Sequence, residues 1–401
     1  MEFKKPIYPI EQWNITETEF KKENNYRNET TFALSNGYIG TRGTFEEAYP
    51  FDVDTGLEGN FVNGFYESNE IRYGEANFGS PLLSQSLLNL PNLKEIHVIL
   101  DGEEFTMEQG EVKEYARTLH MKDGILERKL TWTASSGKMT EIFRLVSFAR
   151  KNIMAIRYQV RPVNYVGTVE FVSKMQADVE NHTRKTNPIV DYGPFGRRLD
   201  PDNVKAENDI SYYEGTTKGS HLTVACGSVH ELWCDGQTVT DVNWMAEEGE
   251  IDTISRVPLS AKEGECVTLD KFICYSTSLD MEKEKLEAFV QDELAAAKSE
   301  GYEKLKEQQK NYMQDFWKTA DVEIKGNEEL QQGLHFNLFH IIQSAGRDGK
   351  TGMGAKGLSG EGYEGHYFWD TEMYVLPVLI FTEPETARKL LDYRYATLPQ
   401  A

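Results

Sequence analysis

Over most of the first 275 residues, apolar and polar positions alternate with a period of two. From Asn152 to Pro162, Met154, Ile156, Tyr158 and Val160 alternate with Ala155, Arg157, Gln159 and Arg161. That is the pattern of a half-buried strand. Leu126–Thr133 and Met139–Phe148 flank Ser135-Ser136-Gly137, a hairpin signal whose glycine can adopt positive φ. Val166–Ser173, His221–Cys226 and Cys266–Tyr275 repeat the theme. No helical period interleaves these strands. Antiparallel sheets packed face to face are therefore expected, in a sandwich larger than an immunoglobulin domain.

The period then changes to that of a helix. Ser278-Leu279-Asp280 can cap a helix starting at Met281, with Leu286, Phe289, Val290, Leu294 and Ala297 on one stripe. Gly301 breaks it, and a second helix runs to about Ala320 with Leu305, Tyr312 and Phe316 aligned. Asn327 can cap a third helix, buried through Leu330, Leu334, Leu338, Ile341 and Ile342. A glycine-rich loop follows over Gly346–Gly365, and a loop that long inside a domain is usually functional. Phe368–Phe381 and Glu383–Tyr395 read as further helices, the second opened by a Thr382/Glu385 capping box. The expected division is a β-sandwich over 1–275, a helical connector over 276–320, and the beginning of a helical domain over 321–401. A bundle of about three helices cannot close a core of its own. The expectation is an incomplete domain with apolar faces exposed after Gly326 and protease cleavage near Gly301–Ala320, or helices that complete their core elsewhere.

Composition narrows the function classes. The chain has 401 residues, 39% hydrophobic and 27% charged, as in an ordinary globular protein. Its net charge of −22 argues against nucleic acid or an anionic membrane as the main partner. The longest apolar run, Met373–Phe381, is far shorter than the roughly twenty residues of a membrane span. The start shows no apolar signal region, so a cytoplasmic location is expected. Cys226, Cys234, Cys266 and Cys274 lack metal-ligand spacing, and Cys226 and Cys274 are expected to be buried and reduced. Aromatic residues make up 11%, which suits sugar binding but equally suits the filling of a large core.

The candidate chemistry sits at the end of the glycine-rich loop. Trp369 offers a ring to a sugar, and the Asp370 carboxylate can bind vicinal hydroxyls through charge-assisted hydrogen bonds. The bland alternative makes Asp370 a helix cap and Trp369 a core anchor. Glu361, Asp370 and Glu372 could supply a glycosidase carboxylate pair, although acidic residues at a helix start are more often dipole partners. His366 could orient a ligand. Lys356 and Arg347 could meet a phosphate or simply be solvated. The loop has neither P-loop nor dinucleotide spacing.

The run Lys356-Gly-Leu-Ser-Gly-Glu-Gly-Tyr-Glu-Gly-His-Tyr-Phe-Trp-Asp-Thr-Glu372 resembles the central motif of glycoside hydrolase family 65. Ser35-Asn-Gly-Tyr-Ile-Gly-Thr-Arg-Gly-Thr-Phe-Glu-Glu47 is similar to that family's opening signature, and Phe61-Val-Asn-Gly-Phe-Tyr66, Leu330–Ala345 and Ala387–Ala401 match further blocks in order. The resemblance implies a β-super-sandwich, a helical linker and the first helices of an (α/α)6 barrel. It implies inverting phosphorolysis of an α-linked glucose disaccharide, with inorganic phosphate as co-substrate, no cofactor and no metal. It places Trp369 and Asp370 on the glucosyl unit, with Phe368 and His366 as further substrate contacts, and implies a homodimer for the whole protein. The family's general acid, Lys-Gln sugar-binding pair and phosphate loop all fall after Ala401. No catalytic residue is therefore assigned here, and this chain alone is expected to be inactive. Two alternatives stay open: a trehalose-type hydrolase of the same fold, and a non-catalytic sugar-binding or assembly module.

Overall fold

A computed structural model describes residues 6–47, 56–73, 75, 78–137, 139–141, 150–182, 190–191 and 196–400. Its first part is built on two large antiparallel sheets. One orders strands Ile153–Val160, Val267–Thr277, Thr223–Cys234, Ile210–Thr217 and Leu199–Glu207, with Gln237–Thr238 folding back on Thr223–Cys234. The other orders Met245–Glu248, Asp252–Ala261, Gly167–Gln176, Ile96–Leu100 and Glu103–Glu104. Their facing sides form the main core, including Tyr158, Phe171, Tyr213, Val257, Leu269 and Tyr275. A four-stranded sheet runs Asn14–Glu17, Glu111–His120, Ile125–Thr133 and Met139–Glu141. The rest of the expected strand Met139–Phe148 lies outside the described residues.

Several expectations need correction. The sandwich region contains a helix, α1 (Lys22–Thr31). It has no apolar stripe to betray it, because what it buries is Asn25, Asn28 and Glu29. These are held by polar partners: Asn28 donates to Glu17 at 2.5 Å, and Arg42 pairs with Glu29 at 3.3 Å. Strand Ile153–Val160 is half-buried as expected only from Arg157 onward, since residues 153–156 are buried on both faces. The helix α2 (Leu286–Glu300) covers the outer face, packing Leu286, Val290, Leu294 and Ala297 on Ala155, Phe272 and Cys274. α2 begins at Leu286 rather than Met281, after a short 3-10 turn at Lys283–Lys285. Asp280 is not its cap, for its carboxylate accepts from Tyr38 and Lys151 instead.

The remaining helices are α3 (Tyr302–Ala320), α4 (Glu328–Ser344), α5 (Leu376–Thr382) and α6 (Pro384–Thr397). Asn327 caps α4 as expected, accepting from the Leu330 N–H at 2.9 Å. The α4 stripe is rotated from the expected one. Leu338 and Ile342 are buried as expected and Leu334 and Ile341 partly so, but Leu330 is exposed, while Gln331, Gln332, His335, Phe339 and Gln343 are buried. His335 explains the rotation: it stacks on Trp13 at 3.7 Å and bonds to Asp321 and to the Gln12 carbonyl. The Thr382/Glu385 box does not form, because Thr382 donates back to the Val378 carbonyl. A π-helical turn, Thr371–Val375, precedes α5.

These helices complete their core on the sandwich. Met313, Phe316, Trp317, Leu338, Phe339, Ile342, Leu376, Leu379 and Leu390 pack with Ile15, Phe32, Leu34, Leu119, Met121 and Leu126. α3 is therefore not a loose hinge. Leu305 belongs to the core under α2, while Met313, Phe316 and Trp317 belong to the shared core. This argues against preferential cleavage at Gly301–Ala320. Apolar faces are exposed beyond Gly326 all the same, at Met373, Tyr374, Ile380, Phe381, Tyr395 and Leu398. Cys226 and Cys274 are buried free thiols, and burial pushes both thiols up.

Candidate sugar-binding site

The glycine-rich loop is laid against the sandwich by bonds that span nearly the whole chain. The Gly37 N–H donates to the Gln343 carbonyl at 2.7 Å, and Ser35 bonds to Gln343 through backbone and side chain. Gly37 has φ +80°, and a Cβ there would lie 2.2 Å from the Ala345 carbonyl oxygen. Only glycine meets both demands. Buried Arg42 donates to the Ser359 carbonyl at 3.0 Å, and Asn63 to that of Gly352 at 2.9 Å. The hairpin formed by Tyr66–Glu70 and Leu83–Leu87 holds the far end of the loop. Tyr66 donates to the Gly365 carbonyl at 2.7 Å, Ser86 to Glu364 at 2.7 Å, and His366 Nε2 to the Gln85 carbonyl at 2.6 Å. Gly365 has φ +74°, and its Cβ position is 2.4 Å from Leu87 Cβ, so again no side chain fits.

Between the hairpin and the loop opens a cavity of about 500 Å³, a size usual for small-molecule sites. Tyr38, Tyr66, Tyr367, Phe368 and Tyr393 supply rings to its wall, with Asp280, Asp348 and Lys350 as charged groups. Tyr367 and Tyr393 meet edge to face at 5.1 Å. Asp348 is held below its ordinary range. Burial opposes this, but bonds from the Lys350 and Thr351 N–H groups and the Thr351 hydroxyl prevail.

Two of the residues expected in the site, Phe368 and His366, lie in this wall. Trp369 and Asp370 follow directly. Trp369 is 63% exposed, so it is no core anchor. Asp370 stands at the start of the π-helical turn, exposed, and its side chain makes no cap bond. Among the described residues, neither of the pair serves as a core anchor or a helix cap.

The other candidates are engaged elsewhere. Glu372 takes two bonds from Arg394, at 2.6 and 2.9 Å, and this pairing lowers its pKa. Glu361 is wedged against the sandwich near Asn181, and burial pushes its pKa up to about 7. Arg347 donates to the Asn36 and Ile342 carbonyls, which removes it as a ready phosphate ligand. Lys356 lies 5.5 Å from the Tyr363 ring centre. Tyr38, Tyr66, Gln85, Asp280 and Tyr393 escaped sequence reasoning, since they lie up to several hundred positions apart. The only signal was that Tyr38, Tyr66 and Tyr393 fall inside blocks already noted as distinctive.

A β-rich region followed by helices, with an aromatic pocket and an exposed indole and carboxylate next in sequence to its Phe368 wall, is an arrangement suited to a carbohydrate-active protein. The chain belongs to glycoside hydrolase family 65: the model of the family's N-terminal domain matches residues 15–316, and that of its central catalytic domain matches 335–401. It is 42% identical over 400 residues to an α,α-trehalose phosphorylase of Thermoanaerobacter brockii, covering 99% of this chain and 51% of that protein. It is 32% identical to a kojibiose phosphorylase of the same organism, covering 98% and 49%. A solved structure described as a putative kojibiose phosphorylase from human microbiome superposes with a TM-score of 0.87 at 21% identity, over 98% of this chain and 50% of that one. The chain thus spans about half the length of the relatives it matches. No helix of the described residues is long and apolar enough to cross a membrane.

Proposed function

We propose that this chain is the sandwich and donor-binding part of a disaccharide phosphorylase. The reaction is inverting: an oxygen of inorganic phosphate bonds to C1 of an α-glucosyl unit as the C1–O bond to the second sugar breaks on the opposite face. The leaving oxygen takes a proton from a general acid. The products are β-glucose 1-phosphate and a free sugar. Phosphate is already an anionic nucleophile, so the second carboxylate that inverting hydrolysis needs to activate water is not required. In this reading Trp369 stacks on the glucosyl ring, Asp370 binds its hydroxyls, and Phe368 shapes the pocket beside them. His366 holds the loop through Gln85 while facing the same pocket. The acid and the phosphate-binding groups are expected in the half of the relatives that this chain does not span, beyond the first helices of an (α/α)6 barrel.

The observation that carries the reading is the exposed Trp369–Asp370 pair, whose carboxylate makes no cap bond, in a chain similar to phosphorylases along nearly its whole length. The same reading divides the chain at about 275 and 320, makes the whole protein a cytoplasmic homodimer, and requires no cofactor. The test is release of glucose 1-phosphate from trehalose, kojibiose, nigerose and maltose, by the 401-residue chain and by a version extended along its reading frame. Phosphate-dependent release by the extended version alone is expected. Phosphate-independent release of glucose would replace phosphorolysis by hydrolysis. Turnover by the 401-residue chain would return Glu361 and Glu372 to consideration as catalytic groups.

A further inference from the structure

The outer face of the five-membered strand row beginning at Ile153–Val160 carries a second depression, away from the glycine-rich loop. Two cavities of about 780 and 450 Å³ share Arg157, Gln159, Tyr302 and Glu303 in their walls, so they form one groove. It crosses strand Ile153–Val160 from the turn around Asp123 to the turn at Asp235-Gly236. The bend between α2 and α3 at Gly301 forms one side.

The floor of this groove is fixed from below. Asp270 is fully buried. It accepts two bonds from Arg157, both at 2.7 Å, and one from the Trp233 indole N–H at 3.1 Å. The Arg157 guanidinium in turn lies 4.0 Å from the centre of the Tyr302 ring. One buried carboxylate thus locks an indole and a guanidinium in place, and a tyrosine ring continues the row. Burying a carboxylate is costly unless it is fully hydrogen-bonded. Here those bonds orient two planar groups that remain partly open to solvent.

The charges indicate what fits. Arg157, Arg161 and Lys306 are outnumbered in the walls by Asp123, Glu127, Asp235, Glu300 and Glu303. Such a groove, in a chain of net charge −22, does not concentrate anions. It suits a neutral molecule with an apolar face for the rings and a rim of hydroxyls for the mixed donors and acceptors. A pyranose has that form. We propose that this groove is a second carbohydrate-binding site, separate from Trp369–Asp370, that takes a neutral gluco-oligosaccharide. One ring stacks on Trp233, with Gln159 bonding its hydroxyls, and the chain extends past Arg157 and Tyr302 towards Glu127. This inference does not depend on the phosphorolytic reading.

The test is calorimetric titration of the 401-residue chain with maltotriose and maltoheptaose, with tryptophan fluorescence in parallel. Saturable binding of maltoheptaose is expected. Trp233→Ala should weaken it about tenfold or more and Gln159→Leu severalfold, while Trp369→Ala leaves it within about twofold. Inorganic phosphate should not compete. Absence of saturable binding to either oligosaccharide would overturn the proposal. So would binding lost in Trp369→Ala and kept in Trp233→Ala. Should Trp233→Ala fail to fold, as judged by its melting curve, Gln159→Leu decides, and unchanged affinity in that variant counts against the site.

Discussion

The inter-sheet core and the helical end of the chain hold aromatic side chains in opposite ways. In and around the core, Trp132, Tyr158 and Tyr275 are buried to 2% exposure or less, and each polar tip is bonded: Trp132 to the Gln109 carbonyl, Tyr158 to Glu47, Tyr275 to the Pro91 carbonyl. At the helical end, Trp369, Tyr374, Phe381 and Tyr395 are all more than 60% exposed. An aromatic share of 11% therefore has two meanings in one molecule. In the sandwich it is packing. At the helical end it is exposed surface: the Trp369 indole lies outside the apolar core and the Asp370 side chain makes no cap bond, which leaves both open to the contacts proposed for them.

Substitutions can break or sharpen this contrast. The largest effect is expected from Trp132→Ala, which should cost about 3–5 kcal/mol in urea unfolding, through lost burial and the cavity left behind. Trp369→Ala should change stability by less than about 0.5 kcal/mol, as a surface substitution does. Yet Trp369→Ala and Asp370→Asn, in the extended protein, should each lower phosphorolysis by about a hundredfold or more, read as kcat/KM. If Trp369→Ala destabilises as much as Trp132→Ala, the contrast fails.

Next comes Glu361. Its folded pKa of about 7 lies above the ordinary carboxylate value because of burial. The native state then holds the proton over a range in which the unfolded chain has released it. Stability is fully retained below the unfolded pKa near 4.5, falls as pH rises towards 7, and stays reduced above it. Glu361→Gln should therefore raise the unfolding free energy at pH 8, by an amount on the order of 3 kcal/mol, and the gain should vanish by about pH 4. An equal gain at both pH values would show that ionisation is not the cause. The smallest effect is expected from Tyr66→Phe, which removes one bond to the Gly365 carbonyl. It should cost about 1 kcal/mol and raise KM more than it lowers kcat, since the loop end is positioned rather than consumed. A drop in kcat alone would contradict that.

Local pattern and tertiary context divide the account cleanly. The period of two placed the strands at Ile153–Val160, Gly167–Gln176 and Val267–Thr277, because alternation reports a pleated surface directly. Gly301 and Asn327 marked helix ends, because a glycine breaker acts through its own backbone and a cap through its own side chain on a neighbouring N–H. The Trp-Asp block drew attention by composition, and the family by ordered motifs. Helix α1 was illegible, because its buried face is Asn and Glu, and their partners Glu17 and Arg42 belong to other elements. So was the burial of residues 153–156 on both faces, which depends on α2 arriving from more than a hundred residues away. Whether Asp370 caps a helix was likewise open in the sequence, where a cap and an uncapped carboxylate put the same residue at the same place. Only the folded chain decided it. The π-helical turn leaves the carboxylate uncapped, and the sandwich hairpin, through Tyr66, Gln85 and Ser86, fixes the loop from which Trp369 and Asp370 emerge.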